Sequence, residues 1–326
     1  MPNQTNIVGA DTGDFVQLDN VVLDVYAQEI LFKAQPVLRF EAVAVVRTDL
    51  QANPGNTIRF IRYNSLSGKS EIAETATIVT DVLSTTTLSI TVAEHAKAIR
   101  VSELLLRQSI TDVMGDAATL LGMHYAKNRD GLMRDALLAG TNVLYSQKGG
   151  AATTRADLTA GSTFDVDLIR SSVEQLATNK APKFDADAYV CFVHPHQARY
   201  LRADPAWINV QNYANPDNFL TGEIGRIEDV RFIETTQVPY VKKATQDIWA
   251  DGEDTTDNTV IAANNAVDVY RSVMVGQNAF GVGVGLPVEM RDNGIEDFGR
   301  AHSLAYYGIW GAGLIETGHS LILETA

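Results

Sequence analysis

The sequence predicts an α+β chain of two or more lobes. Three observations carry that expectation: one long segment of helical periodicity between Thr111 and Ala139, two β-rich stretches at 56–63 and 85–92, and a remainder beyond residue 178 that reads mostly as strands and loops. The 326 residues exceed the usual size of a single core, and such a chain can bury about 75% of the surface it exposes when unfolded. Apolar residues make up 45% and charged residues 20%, the balance of an ordinary globular protein rather than a disordered one.

The first 54 residues hold one amphipathic segment, Val21 to Lys33, where Val22, Tyr26, Ile30 and Lys33 recur at helical spacing before Pro36 stops it. The rest of that segment reads as an extended arm. Asn56 to Tyr63 alternates Ile58 and Phe60 with Arg59 and Arg62, although Ile61 breaks the alternation, and Thr85 to Val92 alternates again. The two predict a long hairpin with a polar end at Ser65 to Ser70. It has little core of its own and is marginal in isolation.

From Thr111 the period becomes 3.6. Met114, Ala117, Leu121, Tyr125, Leu132 and Ala136 fall on one face, and Gly140 stands just past the end. At 1.5 Å per residue this helix spans roughly 40 Å, enough to brace a domain. A Gly/Ala/Thr-rich connection covers Gly149 to Ser162, and Asp165 to Thr178 reads as a second amphipathic helix ending before Pro182. Nothing repeats at a period of 20 to 50 residues.

The block 188–235 is the most informative. Tyr189 to Val193 suits a buried strand, His194 is placed to cap the next helix, and Pro195 takes the first helical position, where its missing N–H costs nothing. Gln197 to Ala203 continues that helix. Gly222 and Gly225 bracket Glu223 and Ile224, which predicts a tight turn there before Val230 to Ile233 forms a strand.

Motifs that carry chemistry are few. Cys191, His194 and His196 have the look of a zinc cluster, but alternation along a strand puts Cys191 and His194 on opposite faces, and Pro195 then diverts the chain. His124, His302 and His319 are isolated and read as packed or solvated side chains. Asp251, Glu253, Asp254 and Asp257 crowd one loop without EF-hand spacing and read as a solvated acidic loop. Gly281-Val-Gly-Val-Gly285 has the glycines of a phosphate loop, but Pro287 and a strand-like sequence follow where a helix must open. No G-x-S-x-G, H-E-x-x-H or P-loop occurs. No catalytic, cofactor-binding or metal-ligating residue is therefore expected, and no cofactor.

Charge and cysteine content narrow the class further. A net charge of −14, with no basic cluster longer than Lys242-Lys243, argues against a groove that grips phosphates, yet is compatible with a wall facing packed nucleic acid. Cys191 is the only cysteine, so no internal disulfide framework exists, and its place in an apolar run suggests an inert core thiol. No run of about 18 apolar residues predicts a membrane span. The start, Met-Pro-Asn-Gln-Thr-Asn, has neither a basic nor an apolar leader region, so synthesis and assembly are expected in the cytoplasm.

The strand, Pro-started helix, glycine turn and strand of 188–235 resemble the axial domain of tailed-bacteriophage major capsid proteins of the Hong Kong ninety-seven fold. Asp268 to Gly281 resembles the passage out of that domain, and Phe298 to Ile315 resembles two returning strands of the peripheral domain, with small residues near Gly311 and Gly313. The resemblance implies an N-terminal arm at 1–54, an extended hairpin loop at 55–100, a peripheral domain with its spine helix at 101–183, an axial domain at 184–274 and a β-rich return to the peripheral domain at 275–326. It implies a non-catalytic subunit that joins copies of itself in hexamers and pentamers to form the icosahedral head of a virion, enclosing double-stranded DNA without sequence-specific binding. Portal, scaffolding and decoration proteins are the further partners it implies, with the scaffold a separate chain or a removed piece. Two alternatives stand beside it. One is an encapsulin-like nanocompartment shell, and the other is a soluble metal-dependent hydrolase using His194, His196 and the acidic loop.

Overall fold

The computed structural model describes residues 39–51, 55–64, 66, 80, 82–184, 187–207, 223–243, 248–250, 253–254 and 266–326. The helix expected at Val21–Lys33, the end of the hairpin at Ser65–Ser70 apart from Leu66, Gly222, Asp251 and Asp257 lie outside them.

The described strands form two sheets and a separate hairpin. The smaller sheet has the order β1 (Val45–Arg47), β13 (Phe280–Glu296), β14 (Ala301–Leu314), β4 (Ala93–Ser102), with β1 parallel to β13 and the other pairs antiparallel. The larger, nine-stranded sheet runs β11 (Glu253–Asp254), β10 (Ile248–Ala250), β9 (Tyr240–Val241), β12 (Val269–Val275), β6 (Tyr189–Val193), β8 (Val230–Glu234), β7 (Glu223–Ile227). On the far side of β12, β15 (Ser320–Thr325) pairs antiparallel, and β5 (Val143–Tyr145) lies parallel to β15. The hairpin is β2 (Thr57–Tyr63) with β3 (Thr85–Thr91).

Four helices brace these sheets: α1 (Glu103–Gln108), α2 (Val113–Leu138), α3 (Val166–Thr178) and α4 (Pro195–Arg202). Each begins on a side-chain acceptor for an otherwise unpaired N–H: Ser102, Asp112, Asp165 and His194. Strand β6 lies between two cores. Tyr189, Cys191 and Val193 pack with Leu168, Ile169 and Leu176 of α3 and Leu201 of α4, while Val190 and Phe192 pack with Met133 and Leu137 of α2 and with Phe40. Period-two alternation thus serves both faces of one short strand. Further along α2, Leu121 packs on Tyr306 and Trp310 of β14.

The structure departs from the sequence expectations at several points. In α2, Ala117 and Leu121 are buried as expected, but so are Arg129, Asp130 and Arg134. They reach distant partners: Arg129 pairs with Glu41, Asp130 Oδ1 accepts the N–H groups of Arg39 and Phe40 at 2.9 and 3.0 Å, and Arg134 donates to Gln237 Oε1 at 3.2 Å. Residues 40–51 are not extended throughout. Phe40–Val43 makes a short 3-10 turn with Phe40 fully buried, and β1 joins the smaller sheet.

The turn before β8 is made by Glu228 and Asp229, at φ 47° and 60°, rather than by the expected glycines. Asp229 is held there by Lys183 at 2.8 Å and Arg226 at 3.2 Å. Gly225, at φ 151°, lies inside β7 at a register shift against β8, a bulge that only glycine adopts without strain. The hairpin pairing ends at Thr91, and residues 93–102 belong to the smaller sheet, although the extended loop was expected to run to 100. Phe298–Ile315 holds one long strand, not two, and Ser320–Thr325 joins the nine-stranded sheet instead of returning to the smaller one.

Candidate assembly surfaces

A strand pair with one covered face presents the other to its surroundings. In β2, Ile58 and Phe60 share a face with Ile90 and Leu88 of β3, their direct partners, and this face lies toward the smaller sheet, where Ile58 and Ile90 are buried. Arg62, on the same face, pairs with Glu316. The opposite face carries Ile61 and Tyr63, exposed at 63% and 65%, and near the hairpin's far end Leu66, Val82 and Leu83 are also exposed. Ile61, the residue that broke the sequence alternation, is thus one of the outward apolar groups. Asn64 closes the described end, donating to Ser84 Oγ at 3.1 Å and accepting from Thr86 Oγ1 at 3.0 Å. A cleft of about 730 Å³ separates the hairpin from the body, lined by Arg47, Arg62, Glu316 and His319 among others.

Two further apolar surfaces face outward. Leu104, Leu105 and Ile110 are exposed on and just beyond α1, with Leu120 exposed on α2. Val288 and Met290 are exposed on β13, and Phe298 is fully exposed at its turn into β14, where Asp297 and Phe298 take φ values of 51° and 54°. Left-handed backbone at an exposed bulky residue is costly unless its surroundings fix it. Large exposed apolar groups gathered on projecting elements mark surfaces that meet another protein.

The candidate metal cluster resolves into separate roles. Cys191 is fully buried, and burial pushes its thiol well above the ordinary range. His194 Nδ1 accepts the N–H of His196 at 3.1 Å, and Gln197 Oε1 accepts the N–H of His194 at 3.1 Å, a reciprocal cap. Burial, with His196 adding to it, lowers the His194 pKa to about 4. His196 stacks on Tyr270 with ring centroids 4.5 Å apart. Among the described residues, no three His, Cys, Asp or Glu side chains gather as a metal would need.

Three further histidines are individually engaged. His124 Nδ1 lies 3.0 Å from Tyr306 Oη, His302 Nε2 lies 2.8 Å from Asp292, and His319 Nδ1 lies 3.1 Å from the Gln277 carbonyl. The Gly281–Gly285 run is part of β13, with no helix opening after it. Of the acidic loop, only Glu253 and Asp254 are described, as the short strand β11.

A second buried ionic group, beside the charges on α2, also escaped sequence reasoning. Glu324, with no exposed surface, receives Arg155 Nε at 2.7 Å and Arg271 Nε at 3.0 Å. It ties β15 to β12 and to the loop at 155, and no local signal links residues 169 positions apart. Burial lowers the Arg271 pKa, opposed by the Glu324 carboxylate. Among the described residues no helix is long and apolar enough to cross a membrane.

Comparison with known proteins agrees with this architecture. The major capsid protein of Staphylococcus phage phiMR11 is 25% identical over 186 residues, 57% of this chain and 61% of that protein, so the match spans less than two thirds of the relative's length. The capsid of cyanophage P-SCSP1u superposes with a TM-score of 0.69 at 16% identity, covering 100% of this chain and 98% of that one. The capsid of Ralstonia phage GP4 gives 0.70 at 15% identity, covering 97% and 98%. At such identities the likeness is one of fold, and the fold is α+β of the Hong Kong ninety-seven type. The family pattern described as phage capsid protein matches residues 40–304, from the buried turn at Phe40 into β14. The chain belongs to the phage capsid protein family.

Proposed function

We propose that this chain is the major capsid subunit that builds the icosahedral head of a tailed bacteriophage around its double-stranded DNA, joining copies of itself in pentamers and hexamers. The observation that carries the proposal is the hairpin: a folded strand pair anchored on the body through buried Ile58 and Ile90 of its inner face, whose outer face offers Ile61 and Tyr63 to a neighbour. Exposed apolar groups on α1 and at the β13–β14 turn give each subunit further contacts, so that many modest interfaces act together. In this reading residues 57–91 are the reaching loop, α2 is the spine of the peripheral part, and the nine-stranded sheet forms the axial part. The role is structural rather than catalytic, with portal, scaffolding and decoration proteins as partners, assembly in the host cytoplasm and residence in the virion.

Expression of the chain followed by sedimentation and electron cryomicroscopy tests this. Closed shells or capsomer rings support it, and a small particle that stays monomeric or dimeric at high concentration with a scaffolding partner supplied would overturn it.

A further inference from the structure

The two glycine runs of the smaller sheet lie side by side, Gly281 opposite Gly313 and Gly283 opposite Gly311 across β13 and β14. Directly opposed residues, and those two apart on a strand, share a face. Four positions of sheet are therefore bare of side chains on the face that receives the hairpin. A Cβ on Gly283 would stand 2.7 Å from Ile58 Cδ1, one on Gly281 3.0 Å from Phe60 Cζ, and one on Gly313 3.0 Å from Ile90 Cγ1. Ile58, Phe60 and Ile90 present side-chain atoms that can shift, and Gly281 also meets Ile315 Cδ1 at 2.9 Å and the Val45 carbonyl oxygen at 3.1 Å, tight by only a few tenths of an ångström. Gly311 differs, because a Cβ there would stand 2.3 Å from the carbonyl oxygen of Thr91 and 3.1 Å from the Cα of Val92.

Backbone cannot give way without moving the strand that carries it. Val92 is the single residue between β3 and β4, and its N–H still donates to Asn56 O at 2.9 Å across the hairpin. Gly311 thus lies directly under the joint at which the hairpin leaves the body. Packed sheets ordinarily stand about 10 Å apart, and glycine allows a closer approach.

From these contacts we infer that Gly311, backed by Gly281, Gly283 and Gly313, is a positioning residue for assembly. It sets the height and pitch of the hairpin, and so the place where Ile61 and Tyr63 meet a second copy. The inference rests on the shell-subunit reading.

The test is Gly311→Ala with spin labels at Tyr63→Cys and Asp167→Cys, both exposed sites, while Cys191 is buried beyond the reagent. Label-to-label distances are read on the free labelled subunits, and shell yield is read on the same glycine variants without the label cysteines. The expected result is a displaced label-to-label distance and a shell yield lowered about tenfold or more, the factor that about 1.4 kcal/mol of lost contact produces. Gly283→Ala loses less, and adding Ile58→Val, which removes the Cδ1 in the way, returns the yield to that of the parent. Gly122→Ala, whose Cβ meets nothing within 4 Å, assembles as the parent does. An unchanged distance in Gly311→Ala, whether or not shells form, overturns the inference. If Gly311→Ala does not fold, the Gly283→Ala pair decides: failure of Ile58→Val to restore Gly283→Ala overturns the inference, and restoration upholds it. A parent that forms no shells defeats the shell-subunit reading instead, and the label distance still reports on Gly311.

Discussion

Strands β6 and β2 are both short and both carry large apolar side chains, and they meet opposite fates. All five residues of Tyr189–Val193 are buried, whereas of Thr57–Tyr63 only Ile58 is. Composition separates them in part, since Arg59 and Arg62 interrupt β2 while β6 carries no charge. Strand β6 has β8 and β12 along its edges and helices over both faces, while β2 has β3 on one edge and the glycine patch under one face. Apolar residues of β6 stabilise the subunit, and those on the outer face of β2 remain available to stabilise a contact between subunits. In the proposed shell subunit, burial would be divided between folding and association, with the division running between these two strands.

The sharpest way to break this comparison is to attack the covered side. Glu324→Gln leaves Arg155 and Arg271 buried against a neutral partner and should cost about 3–5 kcal/mol in chemical unfolding of the subunit. A loss under about 1 kcal/mol would mean that water reaches this group. Phe192→Ala removes a fully buried ring whose centroid lies 4.3 Å from that of Phe40 and should cost about 3–4 kcal/mol. A near-neutral result would place β6 outside the core.

A smaller effect should come from the helix cap beside β6. His194 accepts through a neutral ring, and its pKa is about 4 when folded against 6.5 for the free side chain. Burial keeps this ring neutral, so the stability that depends on the neutral form is full above pH 6.5 and is lost as the pH falls toward 4, while the cap bond itself is worth about 1 kcal/mol. His194→Asn caps without titrating, so its urea midpoint should fall less than the parent's between pH 7 and pH 4.5. Parallel pH profiles would reject the cap as the source. Smallest of all for the subunit is Ile61→Ser, expected to stay within about 0.5 kcal/mol of the parent in unfolding. The same change should lower shell yield. Normal shells would remove Ile61 from the interface.

The sequence made the local parts legible. Strand, capping histidine, Pro195 and helix follow one another within 14 residues, so alternation and capping chemistry suffice to read them. The hairpin and the long helix were legible for the same reason, since their periodicities lie within one segment. Charges on α2 were not, because Arg129, Asp130 and Arg134 look like a solvated face until Glu41, Phe40 and Gln237 arrive from about 90 to 100 residues away. Nor was the turn at Glu228–Asp229, where glycines nearby offered a more obvious candidate and an ion pair with Lys183 holds the strained residue instead. The candidate surface was half legible. Ile61 stood out by breaking the alternation, but the purpose of the glycine runs depends on what lies over them.

The pairing of β15 with β5 also bears on the order of events as the chain folds. Those strands are about 180 residues apart, while β2 and β3 are separated by roughly 20 to 35. Contacts distant along the chain form late because a long loop must close before they contribute. The expectation is that the hairpin strands meet before the nine-stranded sheet is complete, so that their outer face is exposed during refolding. Refolding yield should fall steeply as protein concentration rises, and dilution or a chaperone that masks the hairpin should restore it.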